Sequence, residues 1–328
     1  MDAKVRMKIK KTVIGSFPSI SHNYEESMRR IVDIQLKYGM DIVSDGEQRA
    51  DMITYFRDIP GLEPSPRGLR VCSKIMPPED PGETIKVKDF ITVRDYLKEI
   101  GRVDVAVKTA ITGPVTLGVA CAASGLKHYS GLNDMNLYLD LSKALGSIAT
   151  HLLEIGSYVQ IDEPGISAGF ISPSKASLIL EELFTIIGEV RRRSDSLSIH
   201  VCGDLTGKMD FIEKLLQLDL DIISLAFSGA REGGNMSLLN KDLFNRSGKK
   251  LGAGIISVSS TRESDVDSED NIYLRLRKIS GMVGCENIAY AHPDCGMKNT
   301  PLNVSEIILQ RLSMAVDRYN EYLKSRRA

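Results

Sequence analysis

Short runs of apolar, β-branched residues alternate along this chain with longer segments whose apolar residues recur every three or four positions. The short runs have the length of buried strands, and the longer segments predict amphipathic helices. Several of the longer segments end at a glycine, which is typical of a helix C-terminus. Eight strands are predicted: Thr12–Gly15, Asp41–Ser44, Val105–Ile111, Tyr158–Asp162, Leu197–Val201, Asp221–Leu225, Leu251–Ile256 and Asn287–Ala291.

Eight strand-and-helix units in succession predict an α/β protein with a (β/α)8 barrel of the TIM type. We expect a single domain over residues 1–328, because barrels of this kind use chains of that length as one unit. Residues 54–98 interrupt the alternation with Pro- and Gly-rich stretches such as "DIPGLEPSPRG", which predict an insertion after the second strand. The insertion leaves the end of the barrel that carries active sites, so a lid is one interpretation, and a hairpin that only packs is the other.

Composition narrows the class of protein. A net charge of -1, with 42% apolar and 26% charged residues, is ordinary for a soluble globular chain and argues against a nucleic-acid partner. The N-terminal residues are charged where a signal peptide would be apolar, and no apolar run approaches the roughly 20 residues that cross a bilayer. We therefore expect a cytoplasmic protein without a membrane partner. Its five cysteines are an odd number and predict free thiols rather than a disulfide framework.

Three of the polar residues that follow predicted strands form a metal-binding pattern. His200 and Cys202 end the fifth strand, and Cys295 follows the eighth. Neutral imidazole and thiolate are ligands that Zn²⁺ prefers, and three protein ligands without a CxxC knuckle are typical of a zinc with an open position. The sequence therefore predicts a catalytic zinc site that activates a thiol. His292, three residues before Cys295, is expected to support the site rather than to bind the metal.

Further polar residues end other strands and should converge on the same pocket, because the strand ends of a barrel meet at one face. Ser16 follows the first strand, Glu47 follows the second, and Asp162 and Glu163 end the fourth. Carboxylates beside a metal suit an amino-acid substrate, whose ammonium group they would pair with. Each acid taken singly is also compatible with a helix cap or a loop.

Six ordered motifs, "IGSFP", "DGE", "TGPVT", "IDEP", "HVC" and "PDCGMK", resemble the catalytic domain of cobalamin-independent methionine synthase over nearly the whole chain. The wider superfamily includes uroporphyrinogen decarboxylase-like methyltransferases. The resemblance implies a zinc on His200, Cys202 and Cys295. It also implies that Ser16, Glu47 and Asp162 hold the carboxylate and amine of homocysteine, whose methylation forms methionine.

The chain departs from this family at the positions expected to assist the methyl donor. Ala226 stands where the resemblance implies a fourth zinc ligand, a glutamate, and Ser257 and Ser259 stand where it implies an Asp-x-His pair. Transfer from a methylated folate needs an acid at the leaving amine, whereas cob(I)alamin leaves without one. The sequence therefore predicts methylcobalamin or a methylated corrinoid protein as the methyl donor and partner.

Several alternatives stay open at this point. Water, Asp204 or Glu232 are candidates for the fourth zinc position. The acceptor thiol could be coenzyme M instead of homocysteine, since its sulfonate could pair with Arg49, Arg231 or Lys298. A non-catalytic zinc-containing barrel that binds a corrinoid protein is a third interpretation, which the loss of a glutamate at Ala226 would fit.

Overall fold

The computed structural model describes residues 8–190, 193–229 and 232–326. The strands in these ranges are β1 Lys10–Lys11, β2 Ile42–Val43, β3 Leu62–Ser65, β4 Gly68–Val71, β5 Ala106–Thr112, β6 Tyr158–Asp162, β7 Leu197–Val201, β8 Ile222–Ala226, β9 Lys250–Ile256 and β10 Ile288–Pro293. The α-helices are α1 Tyr24–Lys37, α2 Ile85–Glu99, α3 Pro114–Ser124, α4 Met135–Glu154, α5 Pro164–Ser167, α6 Pro173–Gly188, α7 Met209–Leu215, α8 Lys241–Ser247, α9 Glu269–Val283 and α10 Leu302–Ser325.

Eight of the strands form one parallel sheet in the order β1, β10, β9, β8, β7, β6, β5, β2. Thr12, directly after β1, pairs with Ile42 of β2, and its Oγ1 donates to the Ile42 carbonyl at 2.9 Å. This contact brings the two outer strands together, so the sheet curves into a barrel with the helices around it. The predicted (β/α)8 architecture is confirmed.

The predicted strand bounds agree closely with the structure except at the first strand. The bounds of β6 and β7 are as predicted, and most other strands differ by one or two residues. The first strand was expected over Thr12–Gly15 but pairs over Lys10–Lys11. The carbonyls of Val13 and Gly15 accept hydrogen bonds from the Lys108 and Ser44 side chains, so polar groups in the barrel replace part of the strand ladder.

The insertion is shorter than predicted. Residues 54–84 hold a 3₁₀ turn at Thr54–Phe56, the antiparallel hairpin of β3 and β4, and a second 3₁₀ turn at Pro81–Glu83. Residues 85–98, which were assigned to the insertion, belong to α2, the barrel helix that packs on α1 and β5. The error has a physical reason, because Lys86 and Asp89 are buried and interrupt the apolar stripe that would reveal the helix.

The hairpin packs against the barrel. Leu62, Leu69 and Val71 belong to the same hydrophobic core as the barrel residues, and β4 contacts α3. The Val71 N–H donates to the Gly125 carbonyl at 2.9 Å, just beyond the end of α3. These contacts agree with the packing interpretation of the insertion, and its role as a lid stays a prediction.

Several helices begin at the polar side chains that satisfy their first backbone N–H groups. Asn23, Ser172 and Ser268 accept hydrogen bonds from the first turns of α1, α6 and α9. At the other end of α8, Gly248 adopts the left-handed conformation (φ 67°) that lets the chain leave the helix. Within the described ranges, no helix is long and apolar enough to cross a membrane.

The strands of the barrel carry several buried polar side chains. Buried Lys108, Gln160, Ser224 and His292 project from β5, β6, β8 and β10. Between β8 and β10, strand β9 carries Gly252, where a Cβ would lie 2.4 Å from the Tyr290 ring and 3.1 Å from Cβ of Ser224. The absence of a side chain therefore lets groups on β8 and β10 approach one another.

Candidate metal centre

His200, Cys202 and Cys295 lie together at the carboxyl ends of β7 and β10. One ligand atom from each of the three lies within 4.8 Å of the other two. His200 is 1% exposed, and the two cysteines are partly buried. The ends of two strands that are not neighbours in the sheet thus contribute to one cluster, whose role in metal binding stays a prediction.

The imidazole of His200 is oriented by one of its nitrogens and open at the other. Nδ1 lies 3.0 Å from Oγ of Ser224 on the neighbouring strand. Nε2 is buried and has no hydrogen-bond partner among the described residues. An unpaired buried nitrogen is costly unless it binds something, so this atom fits a metal ligand.

The two thiols of the cluster differ in acidity. The hydrogen bond from Cys202 lowers the pKa of Cys295 to about 4, although burial opposes the shift. The same hydrogen bond and burial raise the pKa of Cys202. The pair therefore carries one thiolate at neutral pH, and thiolate is the form of cysteine that binds a metal. The donor set, the open nitrogen and the thiolate together fit Zn²⁺.

Asp162 borders the cluster, because it lies opposite His200 in the ladder between β6 and β7. Its Oδ1 accepts a hydrogen bond from Nε2 of Gln160 at 2.7 Å. The Gln160 amide is itself fixed by Lys108, whose Nζ donates to Oε1 at 2.6 Å. Burial is the largest cause that raises the pKa of Asp162, to about 7.

Glu47 lies in the turn that follows β2. Its backbone is left-handed (φ 49°), as is that of the preceding Gly46 (φ 73°). The Glu47 N–H donates to Oδ1 of Asp45 at 3.0 Å, which stabilises this turn. Oε1 of Glu47 accepts a hydrogen bond from Nζ of Lys86 at 2.7 Å. A cation from α2 therefore holds the carboxylate that was predicted to meet the substrate amine.

Ser16 lies beside the loop that carries Cys295. A Cβ at Gly296 would approach Oγ of Ser16 to 2.2 Å, and the Met297 N–H donates to the Ser16 carbonyl at 2.8 Å. Lys298, farther along the same loop, donates from Nζ to the Glu47 carbonyl at 3.3 Å and to Oγ of Ser19 at 3.1 Å. Ser16 and Glu47 are thus both tied to the loop after β10.

The other acid at the end of β6 has a structural role. Glu163 is fully buried, and its carboxylate accepts hydrogen bonds from the N–H groups of Val115 and Thr116 and from the Thr116 hydroxyl. It therefore caps the start of α3, and it passes through the space that a side chain at Gly113 would fill. Burial raises the pKa of Glu163 to about 7.

The residues considered as a fourth zinc ligand or as a sulfonate-binding cation do not belong to the three-residue cluster. Asp204 is exposed, and its Oδ1 accepts the Thr206 N–H at 2.8 Å. Arg49 donates to Oδ1 of Asp89 from Nε at 3.0 Å and from Nη2 at 2.7 Å, which ties its guanidinium to α2. Arg231 lies outside the described residues, as does the side chain of Glu232.

The structure also places the residues at which the sequence departs from the family pattern. Ala226 ends β8 and is 1% exposed, opposite Gly254 in the ladder with β9. Ser257 and Ser259 follow β9, and their hydroxyl oxygens lie 2.8 Å apart. The hydroxyl of Thr300 donates to the Val258 carbonyl at 2.9 Å. Among the described residues, the candidate metal cluster therefore offers three potential ligands, and Ala226 stands where the resemblance implies a fourth.

Lys86, Lys108, Gln160 and Ser224 were not recognised from the sequence, although each contacts a predicted site residue or supports one that does. The three on strands were partly indicated by the sequence, since a polar residue inside a buried strand must have a hydrogen-bond partner. The sequence does not show which partner that is, because the contact depends on strand register and on where α2 packs.

The cobalamin-independent synthase catalytic domain is the family whose model matches this chain, over residues 2–318. The chain belongs to this family. It is 30% identical to the methionine synthase of Methanothermobacter marburgensis, and the similarity covers 94% of this chain and 99% of that relative. As a member of the family, the chain is a methyltransferase that acts on a thiol.

Longer relatives are similar over part of their length. A 5-methyltetrahydropteroyltriglutamate–homocysteine methyltransferase of Thermotoga petrophila is 24% identical, with 88% of this chain but only 41% of that relative covered. Among solved structures, a B12-independent methionine synthase from Shewanella in complex with selenomethionine superposes with a TM-score of 0.78 at 21% identity, covering 97% and 99% of the two chains. That superposition supports the barrel fold.

The predicted methyl donor was wrong. The family is described as cobalamin-independent, which contradicts a methylated corrinoid as the donor. The relatives give no support for a corrinoid protein as the partner. The prediction of a corrinoid donor rests on Ser257 and Ser259, which stand where the resemblance implies an Asp-x-His pair. A missing acid shows only that the leaving group is assisted differently, because water and hydroxyl groups can also carry protons.

Proposed function

We propose that this protein methylates the thiol of homocysteine to form methionine, with a 5-methyl reduced pterin as the methyl donor. One observation carries the proposal: the cluster of His200, Cys202 and Cys295 lies beside Asp162, a carboxylate able to bind the substrate ammonium. The names of the family and of the relatives support the acceptor and the donor class.

His200, Cys202 and Cys295 would hold a zinc ion, which lowers the pKa of a substrate thiol so that the nucleophilic thiolate predominates at neutral pH. Ala226 offers no ligand atom, so a zinc held by these three side chains would have a position open to the substrate sulfur. Burial of His200 keeps water away from this edge of the cluster. The methyl group then passes to sulfur as the bond between carbon and N5 of the pterin breaks.

The amino-acid part of homocysteine is assigned to three residues. Asp162 accepts a hydrogen bond from Gln160 at Oδ1, which leaves Oδ2 for the substrate ammonium. Glu47 would provide the second carboxylate, with one oxygen held by Lys86. Ser16, beside Gly296, would donate its hydroxyl to the substrate carboxylate. A substrate held at both charged groups brings its sulfur to the cysteines in a defined direction.

The departing pterin amine takes up one proton at N5. This chain offers the hydroxyl pair of Ser257 and Ser259 on the loop after β9, where the family resemblance implies a carboxylate and an imidazole. Hydroxyl groups can hold and orient a water molecule, but they do not titrate near neutral pH. The identity of the donor is therefore the most informative variable in an assay.

The experiment measures methionine by mass spectrometry after zinc-loaded protein is mixed with homocysteine and a methyl donor. Triglutamylated and monoglutamylated 5-methyltetrahydrofolate are the expected donors, with methylcobalamin in a parallel arm and coenzyme M as the alternative acceptor. Cys295→Ser should abolish product, and Cys285→Ser, which changes a partly buried thiol outside the cluster, should retain it.

Methionine from either folate would support the proposal. Product from methylcobalamin alone would overturn the donor assignment, and methylated coenzyme M without methionine would overturn the acceptor assignment. Equal activity of Cys295→Ser and wild type would remove the thiolate cluster from the mechanism.

A further inference from the structure

We propose that Ser224 and His292 form a hydrogen-bonded relay that fixes the tautomer of His200 and so presents the Nε2 lone pair to the metal. The inference rests on the proposed function only in taking His200 as a zinc ligand. The assigned role is one of positioning, since neither Ser224 nor His292 belongs to the three-ligand cluster.

The relay begins at the backbone carbonyl of Pro293. Nδ1 of His292 lies 2.6 Å from the carbonyl oxygen of Pro293. A carbonyl oxygen can only accept, so Nδ1 of His292 must carry a proton. Complete burial disfavours a charged imidazole, so the ring is neutral. In the neutral ring, Nε2 of His292 is consequently an acceptor.

That acceptor determines the direction of the next two hydrogen bonds. Nε2 of His292 lies 2.9 Å from Oγ of Ser224, so the serine hydroxyl must donate to it. A hydroxyl has one proton, and Ser224 therefore acts as an acceptor toward Nδ1 of His200, 3.0 Å away. The proton of His200 is then on Nδ1, and Nε2, which lacks a hydrogen-bond partner among the described residues, carries the lone pair.

The barrel brings the three groups together across an intervening strand. His200 and Ser224 are paired in the ladder between β7 and β8, whereas His292 is on β10, beyond β9. Gly252 and Gly254 on β9 place no side chain between β8 and β10. The rings of His200 and His292 meet edge to face, with centroids 5.9 Å apart. Both rings are thus held at a fixed angle around one buried hydroxyl.

Substitution of Ser224 or His292 should leave the tautomer of His200 unfixed. In Ser224→Ala, Nδ1 of His200 loses its acceptor, and in His292→Phe the serine hydroxyl is free to turn and donate to Nδ1. The second change favours a proton on Nε2, the wrong tautomer for zinc. Supporting hydrogen bonds to metal-binding histidines typically contribute about 10- to 100-fold in metal affinity, so we expect losses of that size in both variants.

The test is zinc affinity measured by competition with a chromophoric chelator, which does not depend on activity. Ser224→Thr retains the hydroxyl and should restore near wild-type affinity. Ser198→Ala is the matched control, because it removes another buried hydroxyl from β7 that donates to the Val159 carbonyl and lies outside the relay. His292→Phe should add little to the loss in a Ser224→Ala background, since one relay is broken in either case.

A second readout is the tautomer itself. In zinc-free protein labelled with ¹⁵N-histidine, long-range proton–nitrogen spectra should show His200 protonated at Nδ1 in wild type, and at Nε2 or in a mixture in His292→Phe. A wild-type His200 protonated at Nε2 would overturn the relay, as would unchanged zinc affinity in both variants. A wild-type protein that binds no zinc would instead count against the proposed function, so the two failures are distinguishable.

Discussion

Nζ of Lys86 lies 2.7 Å from Oε1 of Glu47, and the two side chains are only 1% and 10% exposed. The ammonium also lies 3.9 Å from the centre of the Tyr55 ring. Burial alone would lower the pKa of Lys86, but Glu47 and two further acids raise it above its usual value, so the cation is maintained. Helix α2 thus supplies a buried charge that holds a predicted substrate-binding carboxylate in place.

Substitution of Lys86 by methionine should destabilise the protein. It leaves the Glu47 carboxylate buried without its cation, and breaking a buried pair by removing one partner costs about 3–5 kcal/mol. Urea unfolding should show a loss of this size, and the double variant Lys86→Met/Glu47→Gln should recover much of it. Lys324→Met, which breaks an exposed pair with Glu321, is the control and should leave stability unchanged. A Lys86→Met protein as stable as wild type would contradict the buried pair.

Substitution of Asp162 by asparagine should weaken the binding of homocysteine. A hydrogen bond to a charged partner contributes about 1.5–3 kcal/mol, so KM should rise roughly 10- to 100-fold. The matched substrate is 4-mercaptobutanoate, which lacks the amino group and should be affected little. Asp210→Asn, an exposed change on α7, controls for the chemistry of the substitution. An equal rise in KM for both thiols would show that Asp162 does not recognise the ammonium.

Zinc-free protein should contain one cysteine thiolate well below neutral pH. The pKa of Cys295 is lowered to about 4, whereas an ordinary thiol ionises near pH 8.5. Thiolate absorbance at 240 nm should therefore appear as the pH rises through about 4. In Cys202→Ala the hydrogen bond to Cys295 is lost, and the transition should move to higher pH. Absorbance that stays flat between pH 3 and 6 in wild type would contradict the lowered pKa of Cys295.

Substitution of Gly296 by alanine should impair substrate binding without unfolding the protein. The new Cβ would lie 2.2 Å from Oγ of Ser16, and a hydroxyl can turn away from such a contact at small cost. Ser16 would then leave the position assigned to the substrate carboxylate, so KM for homocysteine should rise while the free energy of unfolding changes little. Gly281→Ala in α9, where the Cβ meets nothing within 4 Å, should gain up to about 1 kcal/mol from helix propensity. Unchanged KM in Gly296→Ala would remove Ser16 from the carboxylate site.

The sequence by itself determined the barrel and the three residues that form the candidate metal cluster. Strand and helix periodicity is local, so β6 and β7 could be delimited from their own residues. In a parallel barrel all strands end at one face, which places His200, Cys202 and Cys295 at the same end of the barrel.

Only the tertiary structure decided which buried polar groups contact one another. The pairing of Lys86 with Glu47 depends on how α2 packs, and the contact of Ser224 with His292 depends on register across β9. Helix periodicity failed at α2 because its buried face includes charged residues, which a hydrophobic pattern assigns to the surface. Hydrogen-bond partners are set by three-dimensional proximity between distant segments, and no local pattern in the chain encodes that proximity.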